Sequence, residues 1–124
     1  MAEFASTVDR LSENAFLVVA LDGAGSAEVR DRALDGHLEY VEKHCDRYLV
    51  CGPMNVPGNP ELVGSFFLIT ADDEQDARDF LAGDPYMASG MYASVTVHQV
   101  SAAAGRWMGG VIWESAEAIR ERAS

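Results

Sequence analysis

Few side chains in this sequence combine a reactive type with a suggestive place, and His37 comes first. In "LDGHLEYVEKHC" helical spacing sets it on one side with Leu34, Tyr40, Val41 and His44, at the border of the apolar stripe. An imidazole there is either a half-exposed edge residue or a group that takes and returns a proton near neutral pH. Asp84, in "GDPY", comes second. Pro85 disfavours helical backbone in its predecessor and suits a helix's first position, so Asp84 reads as an N-cap. A cap uses one carboxylate oxygen and leaves the other for a neighbour.

Gly52 and Pro53 stop one apolar run, and Gly64 with Ser65 opens the next. Glycines at strand ends mark bulges or turns. They also let a ligand reach backbone N–H groups, with the Ser65 hydroxyl as a further donor. His98 alternates with Val97 and reads as a packed or capping histidine. His37, His44, Cys45 and His98 share no recognised ligand spacing beyond the helical proximity of the first two, so no metal is expected. Without G-x-S-x-G, P-loop, HExxH or GxGxxG motifs, no cofactor is expected either.

The chain around these residues is one domain's length, 124 residues with a formal charge of −11. Nine Lys and Arg against twenty Asp and Glu argue against nucleic acid and anionic membrane as partners. "AFLVVAL" and "SFFLIT" are about a third of a bilayer-spanning length, and the acidic start lacks the regions of a signal peptide. A cytoplasmic protein is expected. Cys45 and Cys51 match no CxxC spacing and read as buried, reduced thiols.

Positioning falls to six elements. "NAFLVVALDG" is a strand apolar on both faces, ahead of a glycine turn. Ser26 is a plausible N-cap for a helix whose stripe is Ala33, Leu34, Leu38, Val41 and Cys45, despite Gly36 inside it. "RYLVCGPM" is a second strand stopped by Gly52 and Pro53, and "VPGNPE" is a loop. "LVGSFFLITA" is the third strand. Asp72 with Gln75 makes a capping-box-like start to a second helix lined by Ala77, Phe80 and Leu81. After a turn at "GDPYMASGM", "YASVTVHQV" alternates as a fourth strand with Ala93, Val95 and Val97 on one side.

This strand, helix, strand, strand, helix, strand order is the ferredoxin-like split βαβ of the α+β class: a four-stranded antiparallel sheet with two helices on one face. The domain is expected over residues 15–101, with extensions at 1–14 and 102–124. Because the first and third strands are apolar almost throughout, the uncovered sheet face needs a cover. A second copy, sheet to sheet, predicts a homodimer. The alternative cover is the chain's own tail, whose Trp107, Met108, Val111, Ile112 and Trp113 dock on a partner, cross a pocket mouth or pack at an edge.

The ordered set "HLEYV", "CGPM", "VGSFFLI", "DARDFLAGDPY" and "ASVTVHQV" resembles the YCII-related (YciI-like) family, over about Phe16 to Val100. The resemblance implies a dimeric α/β barrel and a His-Asp dyad in a pocket, which the matching motifs place at His37 and Asp84. At least one relative is a dehydrochlorinase of a chlorinated hydroxyquinol, and the shape is related to muconolactone isomerases. An arginine often found three residues before the histidine is Leu34 here, with Arg30 and Arg32 further upstream.

What this implies is proton transfer: a carboxylate on one imidazole nitrogen fixes the tautomer while the other acts as base. The expected function is a cofactor-free lyase or isomerase acting on a small hydroxylated aromatic or lactone, with Ser65, Tyr86, Gly52 and Pro53 at the substrate. The alternative is a non-catalytic dimeric small-molecule-binding or accessory protein.

Overall fold

The computed structural model describes residues 8–123. They form two compact units, one spanning Glu13–Val100 and one built from the two chain ends. The residues 1–7 of the expected N-terminal extension, and Ser124, lie outside the described residues.

In the larger unit β1 (Asn14–Asp22), α1 (Ser26–Lys43), β2 (Tyr48–Asn55), β3 (Leu62–Ala71), α2 (Glu74–Ala82), α3 (Pro85–Ala88) and β4 (Tyr92–Val100) follow one another. A single 3-10 turn, Cys45–Arg47, leads into β2. The strands lie in the order β2-β3-β1-β4, each pair antiparallel. This is the ferredoxin-like α+β sheet. Alternate residues of the two central strands, Phe16, Val18 and Ala20 with Phe67, Ile69 and Ala71, bury one face. Against it pack Ala77, Phe80 and Leu81 of α2 and Tyr40 and Val41 of α1. Ring contacts extend this core, with Arg47 over the Phe80 ring while it also donates to the Thr70 carbonyl.

Local details depart from the sequence reading. β2 continues through Gly52 and Pro53 to Asn55 instead of stopping there, with Pro53 paired to Ser65. β2 is an edge strand, where proline's missing N–H is tolerated. Gly25, at φ 75°, precedes α1, and Ser26 is its first helical residue, donating its hydroxyl to Asp22 Oδ2 at 3.0 Å. The cap of α2 is Asp73, which accepts the Asp76 N–H, rather than Asp72 with Gln75.

The largest correction concerns α1. Leu34, Leu38 and Cys45 are exposed, and the half-buried line is Val29, Arg30, Ala33, Gly36, His37, Tyr40, Val41 and His44. The helix is rotated from its apolar reading because its inner face carries polar groups that find partners there. Cys45 is therefore not a buried thiol, and Cys51 is partly buried.

In the smaller unit β5 (Ala104–Gly105) and β6 (Gly110–Val111) form a hairpin, and α4 (Ala116–Ala123) follows. Val8 donates its N–H to the Val111 carbonyl. Ile112 is buried, whereas Trp107 is 82% exposed. Among the described residues no helix is long and apolar enough to cross a membrane.

Candidate active site

Asp84 holds the centre. Its backbone is extended ahead of Pro85, and Oδ1 accepts the Tyr86 N–H at 2.9 Å, capping α3. Its side chain is 1% exposed. Into this carboxylate α1 delivers His37, whose Nδ1 lies 2.9 Å from Oδ1 and 2.9 Å from Oδ2. A carboxylate that already accepts an amide N–H is an acceptor, so Nδ1 carries the hydrogen. The lone pair is thereby on Nε2, which makes no hydrogen bond among the described residues. The His37 side chain as a whole is 15% exposed. One face of the imidazole is fixed by the Tyr86 ring, stacked at 3.8 Å and 6°.

Tyr86 connects this dyad to a second cluster. The Arg30 guanidinium lies over its ring at 5.4 Å, and its hydroxyl donates to the Arg30 carbonyl. Arg30 donates through Nε and Nη2 to the Asp22 carboxylate at 3.2 and 3.0 Å. The two hydrogens of Nη2 are shared among that carboxylate, the Gly64 carbonyl at 2.9 Å and Ser65 Oγ at 3.1 Å. The Tyr92 hydroxyl meets Ser65 Oγ at 2.9 Å. Burial opposes the Arg30 charge, but the hydrogen bonds and charge of Asp22 outweigh it and hold the guanidinium above its ordinary pKa.

The phenols are held protonated. Burial pushes Tyr92 up to about 12, against the opposing pull of the Ser65 hydrogen bond and Arg30. Burial likewise raises Tyr86, with Arg30 pulling it down and Asp84 adding to the rise. Tyr40, whose hydroxyl donates to the Phe80 carbonyl at 2.6 Å, is raised by burial and then by Asp84. Four tyrosines and Cys51 thus feel the same buried negative charge.

Of the residues singled out by sequence, His37, Asp84 and Tyr86 meet directly, and Ser65 joins them through Arg30. Pro53 stands beside Ser65 on the same sheet face, exposed. Gly52 is not brought in: it pairs with Phe66 on the opposite face, and a Cβ there would meet the Phe66 ring at 3.4 Å. The histidines and Cys45 do not converge either. His44 packs against Tyr40 and Phe80, Cys45 is exposed, and His98 is opposite Leu17 on the open sheet face. Among the described residues no three His, Cys, Asp or Glu side chains gather as a metal requires.

Sequence reading missed Arg30, Asp22 and Tyr92. One signal was available: Arg30 precedes His37 by seven residues, two helical turns, which places both on one face. The arginine absent at Leu34 has a counterpart one turn earlier.

Comparison with known proteins agrees with this architecture. A solved structure of 5-chloro-2-hydroxyhydroquinone dehydrochlorinase from Burkholderia phenoliruptrix AC1100, in complex with 2,5-dihydroxybenzoquinone, is similar at 27% identity and a TM-score of 0.64. The match covers 74% of this chain and 96% of that one. A Pseudomonas aeruginosa protein matches at 13% identity and a TM-score of 0.45, over 75% of this chain and 97% of its own. No curated protein matches the sequence. The model of the YCII-related domain matches residues 15–101, well over half of the chain, and the protein belongs to that family.

Proposed function

We propose that the protein is a lyase of the dehydrochlorinase type, which uses His37 and Asp84 to move protons on a small hydroxylated aromatic ring without help from a cofactor. The observation that carries this reading is the 2.9 Å contact of His37 Nδ1 with both Asp84 oxygens, which leaves Nε2 as the base. The similar dehydrochlorinase, 27% identical, supports the choice of elimination over isomerisation.

The chemistry balances on a ring bearing two para hydroxyls and a chlorine. Nε2 takes one hydroxyl proton and returns it to the chlorine-bearing carbon, giving a keto tautomer. It then takes the second hydroxyl proton as the C–Cl electron pair leaves with chloride, so a quinone and HCl form. Asp84 stabilises each imidazolium. Ser65 and Tyr86 are assigned to the substrate, with Pro53 at the margin.

The working unit in this reading is a homodimer. Leu17, Val19, Leu21, Phe66 and Leu68 share the sheet face away from the helices, and a second copy covers that apolar surface. A monomeric mass in solution at micromolar concentration removes the dimer.

The test of the chemistry follows chloride release and ring absorbance with a chlorinated hydroxyquinol and, separately, a muconolactone. Wild type should release chloride, and His37→Ala should be slower by about 100-fold or more, the usual worth of a general base. Identical traces for the two proteins rule out the proposal and favour a binding or accessory role.

A further inference from the structure

Ser65 and Tyr92 form a hydroxyl pair whose hydrogen count is informative. Two hydroxyls carry two protons, and their 2.9 Å bond uses one whichever way it points. Arg30 Nη2 donates to Ser65 Oγ at 3.1 Å and so consumes an acceptor position, not a donor. One O–H hydrogen is left over, on a pair whose serine is only 4% exposed, and none of the described residues accepts it. Buried donors find acceptors. The leftover hydrogen is also polarised, because it ends a hydrogen-bond chain that begins at a guanidinium.

We propose that the Ser65–Tyr92 pair is a hydrogen-bond donor site for a ring oxygen of a neutral polyhydroxylated aromatic, with Arg30 polarising the pair and Asp22 cancelling the charge of Arg30. The inference rests on the proton-transfer reading above and specifies its substrate class. Arg30 and Asp22 are 11% and 8% exposed and bonded through two nitrogens, so the pair adds polarisation without net charge. Within a chain of formal charge −11, a carboxylate has no compensating cation here. Such a site stabilises negative charge that develops on oxygen as His37 removes a proton, more than charge already present. Burial keeps Tyr92 protonated well past neutrality, so the donor persists at working pH. Both halves of the site pack on the Tyr86 ring, His37 by stacking and Arg30 by lying over it. Arg30 and Asp22 are positioning residues; the hydroxyl that touches the ring oxygen is the binding group.

Anaerobic calorimetry at pH 7 with hydroquinone and 2,5-dihydroxybenzoate, the same ring with a carboxylate, tests it. Wild type should bind hydroquinone about tenfold tighter than the carboxylate, and Ser65→Ala and Tyr92→Phe should each weaken hydroquinone by up to about tenfold, the worth of one hydrogen bond. Asp22→Asn should reverse the order by freeing the Arg30 charge, a swap in selectivity that a merely structural role does not produce. If Asp22→Asn fails to fold by circular dichroism, the two hydroxyl variants decide. Equal or tighter carboxylate binding by wild type, no binding of either ligand, or unchanged hydroquinone affinity in both hydroxyl variants overturns the proposal. Turnover that depends on His37 without this charge preference sinks the donor site alone. A charge preference in a protein that turns nothing over sinks the lyase reading alone.

Discussion

Gly36 of α1 lies so close to Pro85 of α3 that a Cβ on residue 36 would stand 3.0 Å from the proline Cγ. The glycine inside the helix is therefore a spacing device. It lets α1 approach the element that begins at Asp84, and His37 follows it by one residue.

Gly36→Ala separates stability from the dyad. Helix propensity gains about 1 kcal/mol from the change. Pro85 must yield by a few tenths of an ångström, and Asp84 moves with it. The urea midpoint should hold or rise, while the proton on His37 Nδ1, seen by NMR, should shift or broaden. An unchanged imidazole spectrum would show that the contact does not position the dyad.

Asp84 has two duties, and two substitutions divide them. Oδ1 takes the Tyr86 N–H and also contacts His37, so an amide in its place still offers one acceptor. Asp84→Asn should cost about 1 kcal/mol, whereas Asp84→Ala loses the cap and leaves buried donors unpaired, about 2 kcal/mol or more. Chloride release should fall about 100-fold or more in both. Activity that tracks stability instead would reduce the carboxylate to a helix cap.

These two residues also show what sequence can carry. The strands were legible because the central two are apolar on both faces, and α2 because Ala77, Phe80 and Leu81 are buried at helical spacing. The inner face of α1 was not, since hydrophobicity assigns no inward preference to Arg30, His37 or His44. Their partners come from residues 22, 80, 84 and 86, which only the fold brings near. Adjacent aspartates at 72 and 73 left the cap ambiguous by one position. The edge placement of β2, which tolerates Pro53, depends on strand order, a property absent from local pattern.

The rotated face of α1 yields a direct comparison. Leu38 is 49% exposed, so Leu38→Gln should change stability by less than about 0.5 kcal/mol. Val41 packs on the core, and Val41→Ala should cost about 1 kcal/mol. Urea denaturation checks the order, and the reverse order would restore the apolar reading of the helix.

The thiols should react at different rates. Cys45 is exposed, while burial first and the Asp84 charge second raise the pKa of Cys51. Thiolate is the reactive form, so a chromogenic disulfide should titrate Cys45 fast and Cys51 slowly at pH 8. In denaturant the two phases should merge. Equal rates in the folded protein would contradict the placement of Cys51.

Alkaline titration probes the tyrosine ring around Asp84. All four tyrosines, Tyr40, Tyr48, Tyr86 and Tyr92, are raised, in each case by burial first, with Tyr92 reaching about 12. Between the unfolded value near pH 10 and the folded values, the native state binds more protons than the unfolded one. Stability is thus fully present below about pH 10 and declines as pH rises through that window toward 12. Tyrosinate absorbance near 295 nm should be small at pH 10 in native protein and about half-developed in denaturant. Native protein that ionises its tyrosines like the unfolded chain would show that these hydroxyls are solvated.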